Sequence, residues 1–206
     1  MTQPVELVPM MCVKCKSPVP AKVDEAVWVC ENCGQGMLLD SEKGLTALEI
    51  HTAAGIAQNG TGRPFWVAAG RVSLRRATFS GDNTRDMEAF WAQPRQFIIP
   101  AYQLGLEEIT RMGVDLVRQP PTLTPAASPA PFQPVVLMPG DVRPLAEFAI
   151  LSIEAERRDA LKELAFNLEL EPPQLWILPD VLTPAPQVNP PTPGNFNIHF
   201  QQPKRP

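Results

Sequence analysis

The sequence is short of the side chains on which most enzymes depend. It has two histidines, His51 and His199, and no cysteine after Cys33 in 206 residues. It contains no G-x-S-x-G nucleophile elbow, no phosphate-binding glycine loop and no H-E-x-x-H motif. These absences argue against the common hydrolase, nucleotide-binding and metalloprotease classes. They predict a protein that is not an enzyme, and no small-molecule substrate is identified.

Positive charge is also scarce. Charged residues make up 19% of the chain and the formal net charge is −4. A protein whose main task is nucleic-acid binding has clusters of lysine and arginine that contact the phosphates. The overall balance therefore argues against that task, although it leaves room for a local basic patch.

Long apolar runs are missing as well. A membrane-spanning helix needs about 20 apolar residues, and the best candidate, L-A-E-F-A-I-L-S-I, is short and contains Glu147. The first residues, M-T-Q-P-V-E-L-V-P-M-M, have neither the basic region nor the apolar stretch of a secretory signal. We therefore expect no membrane insertion and a cytoplasmic location.

Proline is the residue in excess. Most of the 25 prolines fall in residues 120–139 and 172–206. Proline lacks the N–H that helices and central strands need. The pattern predicts a Pro/Ala-rich linker at residues 120–134 and an extended tail at residues 181–206.

All four cysteines stand in two C-x-x-C pairs near the beginning of the chain. Cys12 and Cys15 form the first pair, Cys30 and Cys33 the second, and fourteen residues separate the pairs. Zinc is bound tetrahedrally by four thiolates, and this spacing is close to the double-pair pattern of zinc sites. A reducing compartment also favours a metal over disulfides.

Residues 11–39 resemble a zinc ribbon, the knuckle-and-hairpin module of transcription factors, RNA polymerase subunits and many bacterial proteins. Gly34 follows the second pair, where a knuckle often needs a positive φ. Lys16 stands at the matching position of the first pair, where the module commonly has glycine. The resemblance implies a structural zinc ion held by the four cysteines. A rubredoxin-type iron centre, a redox dithiol and a catalytic zinc are the less favoured alternatives.

The rest of the chain predicts an α+β fold. We expect the zinc ribbon at residues 1–40, a β-rich segment at 41–119, the linker, a strand–helix–strand segment at 135–180, and the tail. The body would be a small mixed sheet with one long helix and one or two short ones. The patterns predict strands flanking residues 40–44, at Phe65–Ala69, Val72–Ser80, Gln96–Ile99 and near 135, with helices near 85–93 and at Leu106–Gly113.

The longest predicted helix begins near Asp141 and continues through Leu164. Its first half is apolar on two sides, because Leu145, Phe148 and Leu151 lie opposite the stripe that contains Ala146 and Ile150. One side should cover the sheet and the other a partner. We expect partner contacts from exposed apolar residues of this helix, a later strand and the tail: Leu145, Phe148, Leu151, Trp176, Phe196 and Phe200.

A second cluster combines arginine with aromatic residues. Arg75 and Arg76 lie on the predicted strand Val72–Ser80, Arg71 directly precedes it, and Trp66 lies on the strand before it. Arginine and exposed aromatics on a β surface can hold single-stranded nucleic acid by charge and stacking. The simpler interpretation is a solvated strand face.

These features predict a non-enzymatic zinc-ribbon adaptor or accessory subunit that contacts protein partners. The alternative is a nucleic-acid-binding or transcription-associated zinc-ribbon protein that uses the arginine surface.

Overall fold

The computed structural model describes residues 10–180 except 21, 23 and 41, and these residues form two β-sheets and three α-helices. The predicted α+β class is confirmed. The strands are β1 (Val27–Val29), β2 (Gly36–Asp40), β3 (Gly44–Leu48), β4 (Ile50–Thr52), β5 (Arg63–Ser80), β6 (Arg95–Pro100), β7 (Ala160–Leu170) and β8 (Gln174–Leu178). The helices are α1 (Thr84–Trp91), α2 (Leu106–Arg118) and α3 (Val142–Ala155).

The N-terminal sheet is an antiparallel meander in the order β1-β2-β3. Its second turn is the one predicted at residues 40–44. The Asp40 carboxylate accepts the N–H groups of Glu42 and Lys43, both at 2.9 Å. Gly44 then takes a φ of 75°, which an L side chain rarely adopts. We call residues 10–48, as far as they are described, the cysteine module.

The second sheet has the order β4-β8-β5-β6, and β7 pairs with the far half of β5. The sequence predicted two strands with a bend at Gly70, but β5 runs unbroken for 18 residues. Gly70 instead marks the residue where β5 passes from its pairing with β6 and β8 to its pairing with β7. A Cβ there would meet the Phe97 ring at 2.7 Å and Leu168 at 3.1 Å. Glycine is needed for close packing.

The longest helix is shorter than predicted. In the structure α3 ends at Ala155 and the chain returns as β7, so residues 160–164 are strand rather than helix. Leu164, Phe166 and Leu168 recur every second residue and pair across β5, and this period-2 pattern is the one that strand pairing uses. The strand predicted near Val135 is also wrong. The Val135 carbonyl accepts a hydrogen bond from the Ala26 N–H at 2.7 Å, but residues around Val135 do not form a strand.

The predicted linker lies along the body. Main-chain hydrogen bonds join Ala126 N–H to the Thr52 carbonyl at 2.7 Å and Ala54 N–H to the Thr124 carbonyl at 2.8 Å. Further along, Gly62 N–H donates to the Pro131 carbonyl at 2.8 Å. Through both N–H and carbonyl groups this proline-rich stretch is bonded beside the end of β4 and the start of β5, and it does not bridge a gap between separate units.

Within the described ranges, no helix has the length and apolar character needed to cross a membrane.

A buried charge cluster ties β5 to α1, α3 and the turn before β7. Arg76 donates to both oxygens of Asp159, at 2.8 and 2.7 Å, and its Nε lies 3.6 Å from Glu154 Oε2. The Glu154 carboxylate also accepts from Arg157, twice at 2.8 Å, and from the Trp91 indole N–H at 2.8 Å. Two acids thus face two arginines, so the buried charges are balanced.

The acid of this turn stays ionised despite its burial. Burial by itself raises the pKa of Asp159, but the hydrogen bonds from Arg76 and from the Asn83 main chain more than offset that effect and lower it. Asp159 therefore holds a full negative charge against Arg76.

Replacing Arg76 with methionine should destabilise the fold by about 3 kcal/mol, because it removes one partner of a buried charge cluster. The matched control is Arg75→Met, one residue earlier on the exposed face, which should change stability by less than about 0.5 kcal/mol. Urea unfolding followed by tryptophan fluorescence measures both. Equal effects of the two substitutions would show that the cluster contributes nothing.

Candidate metal centre

The four cysteine sulfurs converge on one point. All four Sγ atoms lie within 4.8 Å of one another, with Cys12 to Cys33 at 3.6 Å and Cys15 to Cys30 at 3.5 Å. A tetrahedral ion with metal–sulfur bonds of about 2.3 Å has sulfur–sulfur edges of about 3.8 Å, whereas a disulfide bond is about 2.05 Å long. The four cysteines are free, and their cluster could hold a metal ion.

Each C-x-x-C pair sits in the same kind of loop. In the first, the Lys16 N–H donates to the Cys12 carbonyl at 3.0 Å, and the Cys12 N–H donates to the Ser17 carbonyl at 2.8 Å. In the second loop, the Gly34 N–H donates to the Cys30 carbonyl at 2.8 Å, and the Cys30 N–H donates to the Gln35 carbonyl at 2.9 Å. The repeated hydrogen-bond pattern aims two sulfurs from each loop at a common centre.

The residue after each pair adopts a left-handed conformation. Gly34 has a φ of 72° and Lys16 a φ of 60°. The positive φ expected at Gly34 is therefore present. Lys16 takes the same conformation without glycine's freedom, which costs about 1–2 kcal/mol for an L residue. The first loop is the strained one.

The cysteine module has only a small apolar core of its own. Cys12 and Cys30 are buried together with Val19, Trp28 and Met37. A core of this size rarely holds a fold without a staple such as a metal or disulfides. Cross-linking the two loops through a central ion would supply that staple.

The thiols differ in acidity because their surroundings differ. The hydroxyl and the main-chain N–H of Ser17 stabilise the Cys15 thiolate and lower its pKa to about 5. The Gln35 N–H acts in the same direction on Cys33, but burial and the three neighbouring thiols outweigh it and raise the pKa of Cys33 to about 12. Thiolates this close repel one another, and a cation among them removes the repulsion.

The predicted partner contacts divide into three groups. Phe148 and Leu151 are exposed on α3, at 52% and 43%. Leu145 is half-buried and packs against the body core. Trp176 is half-buried too, and its ring stacks on His51 at 5.0 Å between centroids. Phe196 and Phe200 lie outside the described residues.

The predicted arginine surface loses two of its members. Trp66 is buried at 1% exposure, and its indole N–H donates to the Leu137 carbonyl at 2.8 Å, so its ring cannot stack on a base. Arg76 points to the opposite side of β5 from Arg71 and Arg75, into the buried charge cluster, with 1% of its side chain exposed. The alternation of side chains along a strand is the physical reason.

Sequence reasoning missed the buried charge cluster. Glu154 follows Ile153 inside the apolar stripe of α3, and an acid in such a stripe is a weak signal for a buried pair. Arg157 is a local partner, three residues later. Trp91 and Arg76 lie far from Glu154 in the chain, and nothing in the sequence links them to it.

No protein-family model, curated protein or solved structure matches this chain. Its function must therefore be argued from its own residues.

Separate substitutions at the two left-handed positions should change the metal affinity in opposite directions. Lys16→Gly relieves strain and should strengthen metal binding by about 1 kcal/mol, or about fivefold. Gly34→Ala introduces strain and should weaken it by a similar factor, although open space surrounds the new methyl group. Competition with a chelator measures both. If neither substitution changes the affinity, the loops do not bind the metal in this conformation.

Proposed function

We propose that this chain is a cytoplasmic protein-interaction subunit without enzymatic activity, stabilised by a structural zinc ion in an N-terminal zinc ribbon. The observation that carries the proposal is the convergence of the four sulfurs. Cys12, Cys15, Cys30 and Cys33 would be the zinc ligands. Four thiolates complete a tetrahedral shell and leave no open position for a reacting water, which is typical of structural rather than catalytic zinc.

The identity of the metal rests on ligand chemistry. Thiolates suit zinc and also iron in a rubredoxin-type site. Zinc is the proposal because the module needs a rigid staple and no electron-transfer partner is implied by the described residues. When bound, the ion would hold the two loops together, and the chain's own residues would make the contacts with a partner.

The interaction surface proposed is the outer face of α3. Phe148 and Leu151 are exposed there, and Pro144 and Ala155 extend them at helical spacing along the same face. Elsewhere among the described residues, Phe79 and Leu106 are more exposed, at 75% and 71%, but each is on another element. A continuous apolar stripe on one helix marks a contact surface better than scattered side chains do.

Purified protein should contain one zinc ion per chain. Serine at any of the four cysteine positions should release the metal and unfold the cysteine module, because the remaining core is small. Elemental analysis gives the metal, and circular dichroism follows the fold. A matched control is Ser17→Ala, which removes a hydroxyl that contacts the Cys15 sulfur but no ligand. Iron in place of zinc, or a folded metal-free protein, would contradict this proposal.

Aspartate on the α3 stripe should abolish partner capture. With Phe148 and Leu151 both replaced, affinity should fall at least about 30-fold, since one interface hot spot contributes about 2 kcal/mol. Pull-down from the source organism with quantitative mass spectrometry measures the loss. Phe79→Asp and Leu106→Asp are matched controls on other elements and should retain the partner. Equal loss in all variants would indicate non-specific adhesion.

Single-stranded nucleic-acid binding is a second candidate, favoured by one observation. Arg71, Arg75 and Phe79 occupy exposed positions on the second half of β5. The register weakens this candidate, because Glu169 lies directly opposite Arg71 and Glu163 lies opposite Ala77. Acids within the face would repel phosphates.

A binding titration separates the two candidates. If this face holds nucleic acid, the affinity for a labelled single-stranded oligonucleotide should fall steeply with salt, and Arg71→Glu with Arg75→Glu should abolish it. Arg111→Glu, an exposed arginine on α2, is the matched control. Absence of binding at low salt would remove the second candidate.

A further inference from the structure

A groove of about 830 Å³ separates the cysteine module from the body. One wall is β1 with the second cysteine loop, and another is the proline-rich stretch from Pro129 to Pro134. Leu48 and Ile50, at the passage from β3 to β4, also line it.

The groove meets β1 along its edge. Val27, Trp28 and Val29 all line it, although neighbouring side chains of a strand point to opposite faces. A cavity that touches three consecutive residues must therefore face the main chain between them. In the sheet order, β1 is an outer strand.

The free main-chain groups of this edge can be identified. Leu39 N–H donates to the Ala26 carbonyl at 3.0 Å, and Cys30 N–H donates to the Gln35 carbonyl at 2.9 Å. Hydrogen-bonded and non-bonded pairs alternate along an antiparallel ladder. The N–H and C=O groups of Val27 and Val29 thus point away from β2. Val27 is buried at 4% exposure, so Val29 is the residue whose main-chain groups a ligand in the groove can reach. Val29 is also exposed at 38%.

Of the charged side chains that line the groove, Glu49 and Lys14 are the two that a ligand could pair with. Lys22 and Glu25 pair with each other at 3.9 Å. Glu49 lies 3.8 Å from the His51 ring, which offers a charge only when protonated. Lys14 has no ion pair within residues 10–180 as described. A complementary ligand would carry an acidic group for Lys14 and a basic group for Glu49.

We propose that this groove binds an extended peptide from a partner protein, added as a fourth strand beside β1. Main-chain hydrogen bonds to the exposed Val29 would give affinity. Alternate apolar side chains would contact the groove walls, and an acidic residue would lie at Lys14. This inference rests on the proposed interaction role and names the class of partner.

The test selects binders from a phage-displayed library of random linear peptides on the zinc-loaded full chain. The expected selection is a strand-like alternation of apolar residues with an acid at a fixed position. Lys14→Glu should change the preference at that position from acidic to basic. Lys16→Glu, on the neighbouring lysine that does not line the groove, should leave the preference unchanged. Selection without a charge preference, or an equal response of both variants, would overturn the proposal.

A backbone variant tests the strand addition itself. Val29→Pro removes the outward N–H without removing a bond to β2, and should weaken a selected peptide about tenfold, the effect of losing one such hydrogen bond. Val29→Thr keeps the N–H and should bind as the wild type does. Zinc content confirms that each variant is folded. A peptide that is N-methylated at the paired position gives the same answer from the ligand side. Unchanged affinity in both measurements would overturn the proposal.

Two other occupants of the groove would give distinguishable experimental results. If Val29→Pro converts a dimer to a monomer in analytical ultracentrifugation, the groove holds a second copy. If only a synthetic peptide of residues 181–206 binds, it holds the chain's own end. Either result overturns the assignment to a foreign partner. If the peptide measurements fail while the wild-type chain still captures a partner through α3, the groove assignment is overturned and the interaction role stands.

Discussion

The convergence of four sulfur atoms is the constraint on which the rest of the N-terminal part depends. The cysteine module is a three-stranded meander with five residues in its buried core. Too little apolar area is buried there to hold the strands by themselves. Once the two loops share one centre, β2 is fixed between β1 and β3, and Val27 is placed against the body core. The groove lies between β1 of this module and the proline-rich stretch of the body.

The body is organised by one long strand. β5 pairs with three other strands, and its two halves meet different neighbours. In its second half, Val72 and Leu74 lie on the face that packs on the helices, and Arg71, Ser73 and Arg75 lie on the exposed face. Arg76 falls on the inner face, where Asp159 and Glu154 neutralise it. A one-residue shift in register would have turned the same arginine to the solvent face.

The two proposed contact surfaces use different physics. The α3 stripe offers apolar area on a rigid helix, so its affinity would come from desolvated side chains. The groove beside β1 offers main-chain donors and acceptors, so its specificity would come from strand register and from the charges of Lys14 and Glu49. A protein with both could contact a folded partner and an extended segment at once.

The sequence alone determined the features that depend on local spacing. Two C-x-x-C pairs, the turn at residues 40–44 and the positive φ at Gly34 follow from residue identity within a few positions. Only the tertiary structure decided the length of α3, the strand at residues 160–164, and the burial of Trp66 and Arg76. In each of these cases a contact with a residue distant in the chain outweighed the local preference, and a single sequence does not record which distant residues meet.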